Sequence, residues 1–143
     1  MMRALLMAGM ILTPMAAMAD GLNGFVTRDR LPEPPLPVLV QGALVWEGTC
    51  QNCHGGNKLT GAPKVTSEKD WAPRIAKGIN TLNTHAIDGF IGPKYTQMPA
   101  KGGNPDLSDD DVRAAVAFMV WVSGGQDAAL AWAQETQTNS ETE

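Results

Sequence analysis

The sequence predicts an all-α domain of about four short helices, and three observations carry that prediction. Apolar residues recur at three- and four-residue spacing in the segments that lack proline. No segment shows the strict apolar–polar alternation of a half-buried strand. The stretches between the periodic segments are rich in Gly and Pro, which together contribute 15 and 10 residues to the 143. The core is thin in aromatics, with three Phe, one Tyr and four Trp. A large apolar group bound at the centre would compensate for that.

Residues 1–19 read as an export signal. Met1, Met2 and Arg3 form a short positive start, and Ala4 to Met18 is almost wholly apolar. Ala17 and Ala19 place small residues where a signal peptidase reads, so cleavage is expected before Asp20. An uncleaved anchor is the alternative, but the run of about 15 residues falls short of the roughly 20 that span a bilayer. No later segment is apolar enough to cross one, so the expected location is the periplasm, with no stable membrane insertion after cleavage.

Residues 20–39 form a proline-rich arm. Pro32, Pro34, Pro35 and Pro37 forbid a helix and favour an extended, stiff chain. The domain itself is expected over residues 40–124. From Val38 to Thr49 proline is absent, and Val40, Leu44 and Val45 with Trp46 sit at helical spacing. This helix would run into Cys50 and end at the glycines beginning with Gly55. Ser67 followed by Glu68 and Asp70 suggests an N-cap for a helix from about Trp71 to Lys77. A further helix is expected from Leu82 to Phe90, and Ile91 to Pro105 should be loop.

The clearest helix lies near the end. Ser108 is an N-cap residue, and Asp109, Asp110 and Asp111 place carboxylates where the helix dipole favours them. Val112, Ala115, Val116, Met119 and Val120 form its apolar stripe, and Gly124–Gly125 stop it. Residues 125–143 form a tail. Asp127 to Gln134 could add one helical piece, and the polar stretch from Thr136 to Glu143 is expected to be disordered.

The chemistry concentrates in Cys50, Gln51, Asn52, Cys53 and His54. This is C-x-x-C-H, the attachment signature of haem c. Two thiols must reach two vinyl groups of one porphyrin, and the next imidazole must point at the iron. A helical turn with two residues between the thiols meets both demands. A disulfide, a redox dithiol or half a zinc site are the alternatives. The adjacent His54, the export signal and the use of both cysteines in one motif favour covalent haem c.

The iron also needs a sixth ligand or an open site. Six of the eight methionines, from Met1 to Met18, lie in the signal region, leaving Met98 and Met119. Met119 sits on a helical apolar stripe, a place for core packing. Met98 sits in a loop before Pro99, where packing explains it poorly, so it is the favoured ligand. A thioether stabilises ferrous iron, which suits a carrier of electrons. His85 is the rival, and its simpler role is that of a hydrogen-bonded histidine on a short helix.

These residues, taken in order, resemble the class I monohaem cytochromes c, and within them the cytochrome c-five subgroup. The resemblance runs from about Val40 to Val122. It rests on Gly42, Trp46 and the Cys50–His54 motif, then Gly61 to Lys64, Trp71 to Ile75, His85–Ala86 and Gly89–Phe90. It ends with Met98 to Gly103 and Leu107 to Asp110. Relatives in that subgroup carry an extra disulfide after the methionine segment, where this chain has Asn104, Pro105 and Asp106. The resemblance implies the class I cytochrome c fold around one covalently bound haem, with His54 and Met98 as axial ligands. It implies that the Pro63 carbonyl accepts the second imidazole proton of His54. It makes Trp71 and Arg74 candidates for a haem propionate, with plain core the alternative for Trp71. It also implies that the first helix crosses the last, with Gly42 close to Phe118.

The formal net charge is −4, and loss of Arg3 with the leader would make it one unit more negative. An acidic chain disfavours nucleic acid as a partner, because phosphate binding needs a basic footprint. The expected function is periplasmic transfer of single electrons between a donor and an acceptor protein, without catalysis. An open-iron haem enzyme or gas binder, and a cytochrome subunit of a larger oxidoreductase, are the other readings.

Overall fold

The computed structural model describes residues 22–93 and 96–140. The expected export signal, residues 1–19, lies outside the described residues, as does the end of the tail. Among the described residues no helix is long and apolar enough to cross a membrane.

The arm enters through a bend over residues 23–25 and one short 3-10 turn at Arg28–Arg30. It lies against the domain: Val26 is fully buried and Leu31 nearly so. Helix α1, Pro37–Val45, begins three residues before the expected domain boundary at 40. Pro37 occupies the first helical turn, where its missing N–H costs nothing. A π-helical turn, Trp46–Cys50, carries the chain from α1 into the single turn α2, Gln51–His54.

Helix α3, Glu68–Ile75, starts earlier than expected. Ser67 stands at its N-cap position but makes no capping bond, and its hydroxyl donates to the Asp70 carboxylate at 2.8 Å. Helix α4, Ile79–Asp88, is framed by Gly78 and Gly89, both in the left-handed region that glycine favours. The stretch read as loop contains a short antiparallel ladder. Strand β1, Phe90–Ile91, pairs with β2, Gln97–Met98, so that Phe90 faces Met98 in register. Two residues per strand are too few for an alternation pattern to show.

Helix α5, Asp109–Trp121, is the central element. Ser108 accepts from the Asp111 N–H, and the Asp111 carboxylate accepts from the Ser108 N–H, a full capping box. Eight α5 residues from Val112 to Val120 are buried. Helix α6, Gln126–Ser140, runs through much of the segment expected to be disordered. Ala133 is fully buried beside Leu39 and Ala117, and Leu130 and Trp132 pack on that cluster. The apolar face docks, and the polar end then continues an existing helix, which is far easier than nucleating one.

α1 crosses α5 at Gly42. A Cβ there would lie 2.0 Å from the Ala114 carbonyl oxygen. The close approach is therefore to Ala114, not to Phe118 as the resemblance implied. Phe118 instead meets Trp46, the first residue of the π turn that follows α1, with ring centroids 5.7 Å apart. Both rings are fully buried. An aromatic ring needs an opposing ring or cavity, whereas a glycine lets backbone meet backbone, and the two contacts divide the crossing accordingly.

Candidate functional site

The π turn is where the site begins. The Gln51 N–H bonds back to the Trp46 carbonyl, five residues earlier. One extra residue in a turn rotates everything after it by about 100° relative to an unbroken helix. The faces on which Cys50, Cys53 and His54 emerge therefore do not follow from the α1 periodicity. Both cysteines are free thiols and half-buried. Burial, and then the nearby Cys53, push the Cys50 thiol up to about 11.

His54 is buried, at 7% exposure. Its Nδ1 lies 2.8 Å from the Pro63 carbonyl oxygen. A carbonyl only accepts, so Nδ1 carries the proton and the Nε2 lone pair is free. Burial lowers the His54 pKa most strongly; the Pro63 bond works against that, and the charge of Arg74 adds to the lowering. The imidazole is thus neutral at physiological pH, the form that ligates a metal. The His54 carbonyl accepts from the Val65 N–H at 2.8 Å, which holds the following segment alongside.

Trp71 forms a wall beside His54, with ring centroids 6.2 Å apart. It is nearly fully buried, and its indole N–H donates to the Lys64 carbonyl at 2.9 Å. That donor is engaged by the backbone in this structure. Arg74 donates to the Asp70 carbonyl of its own helix and brings its charge to bear on His54.

Met98 is half-buried and packs against the main core, as does Cys50. The turn after it, Ala100–Gly103, has Lys101 and Gly102 both in left-handed backbone. Lys101 anchors that turn to the start of α5, donating to the Leu107 carbonyl at 2.8 Å and pairing with Asp109 at 2.9 Å. Asn104 reaches the hydroxyl of Thr49, the residue before Cys50, at 3.4 Å. The methionine loop and the cysteine turn are therefore neighbours. Met119 is 3% exposed within the α5 core. The ring of His85 stacks on Phe90 at 4.0 Å.

The donor set fits a covalently held haem. It offers two thiols three residues apart, a buried neutral imidazole with Nε2 free, and a thioether on the adjoining loop. Sequence reasoning missed the π turn, the Phe90–Met98 pairing and the Lys101 anchor. Only a lysine followed by two glycines, in a turn that needs positive φ, hinted at the last.

The family described as "Cytochrome C oxidase, cbb3-type, subunit III" matches residues 38–119. The chain is 48% identical over 79 residues to cytochrome c-555 of Chlorobaculum tepidum, covering 55% of this chain and 71% of that one. It is 36% identical over 74 residues to cytochrome c5 of Azotobacter vinelandii, covering 49% of this chain and 80% of that one. One chain of a crystal structure of an electron transfer complex of nitrite reductase with cytochrome c aligns with a TM-score of 0.48 at 31% identity, covering 62% of this chain and 94% of that one.

Proposed function

Because the chain belongs to the monohaem class I cytochromes c, electron carriers with covalently attached haem c, we propose that it carries single electrons in the periplasm with His54 and Met98 as axial ligands. When bound, the haem supplies a one-electron ferric–ferrous couple. Cys50 and Cys53 hold it through thioether bonds. His54 presents Nε2 because Pro63 has taken its other nitrogen. Met98 presents its sulfur from a loop that Lys101 pins to α5.

The observation that carries this reading is the buried, neutral, carbonyl-oriented imidazole of His54 directly after two free thiols. Two protein ligands saturate the iron and leave no position for a substrate, so the protein is a carrier and not a catalyst. Its partners are a donor and an acceptor protein, met through a small, short-lived interface. The export signal read in residues 1–19 supports the periplasmic location.

The test is the optical spectrum of the purified holoprotein. A sharp α-band on reduction, with the weak far-red band of sulfur–iron ligation on oxidation, is expected. Covalent haem without the far-red band would remove Met98 from the iron. No haem at all would overturn the whole reading.

A second reading makes the chain a bound cytochrome subunit of a larger oxidoreductase. It is favoured by the oxidase-subunit description of the matched family, and by an arm and a last helix that lie outside the match. Size-exclusion chromatography of native extract separates the two, since a free carrier elutes as a small monomer.

A further inference from the structure

Residues 22–36 lie outside the family match, yet they are tied to the site at several points. The fully buried Val26 donates its N–H to the Gly55 carbonyl at 2.7 Å. Its carbonyl accepts from the Gln51 side-chain amide at 3.0 Å. One residue of the arm thus grips both ends of the turn that bears His54. Four residues earlier, the Leu22 N–H donates to the Thr66 hydroxyl at 3.0 Å, and the Leu22 carbonyl accepts from the Lys64 ammonium. The arm therefore spans two segments, 51–55 and 63–66.

Those same two segments meet at the histidine, through His54 Nδ1 on the Pro63 carbonyl and the Val65 N–H on the His54 carbonyl. Thr66 is held in left-handed backbone, φ 70°, an unfavourable conformation for a β-branched residue. Its N–H donates to the Ser123 hydroxyl at 3.0 Å, and both residues are buried. Strain of this kind persists only where the surroundings over-determine it.

We propose that the arm is a positioning strap for the axial histidine, acting through Val26, Gln51 and Thr66. It holds the cysteine turn and the 63–66 segment at the separation that keeps the His54 ring proton on Pro63. That bond sets how strongly Nε2 donates to iron. A passive cover would need only apolar contact of the kind Leu31 makes; here both backbone polar groups of Val26 are committed to the turn. Slackening the strap weakens the Pro63 bond and lowers the basicity of the ligand. Ferric iron loses most from that, so the reduction potential rises.

The inference rests on His54 as an iron ligand, whichever group lies opposite. The experiment compares wild-type holoprotein with Gln51→Ala, which cuts the side-chain bond to the Val26 carbonyl, and Thr66→Val, which cuts the bond from the Leu22 N–H and keeps the side-chain shape. Redox titration should show each variant shifted about threefold toward ferrous at a fixed potential, against the tenfold per 59 mV of a one-electron couple. Amide hydrogen exchange should show protection of the Val65 N–H lowered about tenfold with that of Val116 in α5 unchanged. A merely structural loss would lower both amides together. An unchanged potential in both variants overturns the strap, with or without lost protection at Val65. Failure of the ligand assignment would appear in the wild-type protein itself, as haem without histidine ligation in its NMR spectrum.

Discussion

The Nδ1 of His54 lies 2.8 Å from the carbonyl oxygen of Pro63, nine residues further along the chain. Several groups around that contact are committed. The Lys64 carbonyl takes the Trp71 indole, the Val65 N–H takes the His54 carbonyl, and the Thr66 N–H takes Ser123. The ring proton of His54 should therefore exchange slowly with solvent in the holoprotein. NMR exchange at the rate of a free imidazole would contradict this geometry.

Met98→Ala should abolish the far-red band and open the iron to added cyanide or carbon monoxide. Met119→Leu should keep the band and cost less than about 1.5 kcal/mol, because the core volume is conserved. His85→Ala should also keep it, since that ring is engaged by Phe90. A band that survives Met98→Ala and vanishes in either other variant would reassign the ligand.

Gly42→Ala should destabilise and Gly48→Ala should not. At Gly42 the new Cβ would meet the Ala114 carbonyl oxygen at 2.0 Å, so α1 must move off α5. The expected net loss is about 1–3 kcal/mol by chemical denaturation of the holoprotein, overpacking exceeding the gain in helix propensity. At Gly48 nothing lies within 4 Å. There alanine should be neutral or stabilise by up to about 1 kcal/mol.

Ser108→Ala should cost about 1 kcal/mol at neutral pH through loss of the cap. Hydrogen bonds from Ser108, and then Gln41, hold the Asp111 carboxyl below the ordinary aspartate value. A depressed folded-state pKa means stability that is present above the unfolded-state pKa and lost as pH falls through the folded one. The stability gap between wild type and Asp111→Asn should therefore close below about pH 4 and stay constant above about pH 5. A gap independent of pH across that window would show that the box contributes nothing through ionisation.

Burial that pushes the Cys50 thiol up to about 11 leaves it protonated in the folded arrangement at neutral pH. Thioether formation should then favour a chain that has not yet closed around this turn. In the haem-free chain, alkylation of Cys50 should be slower in native buffer than in urea. Equal rates would show that the turn does not shield it.

Some of this was legible because it is local. The Ser108 cap needs only the residue three places on, and the α5 stripe repeats every three or four residues. The Cys50–His54 motif lies within five consecutive positions. The π turn was not legible, because five consecutive residues can close a helical turn in more than one way. The end of α6 looked too polar to order, yet a helix already docked through Ala129 and Ala133 can extend through it.

By itself the sequence determined the kinds of donor, their spacing within one turn, and the helices whose caps and stripes are self-contained. Those depend on interactions reaching four residues or fewer. The tertiary structure alone decided which distant groups meet. It placed Ala114 against Gly42, Met98 opposite Phe90, and the arm across the cysteine turn. Each of those contacts closes a loop whose entropic cost no local pattern encodes, and only the packed core offsets it.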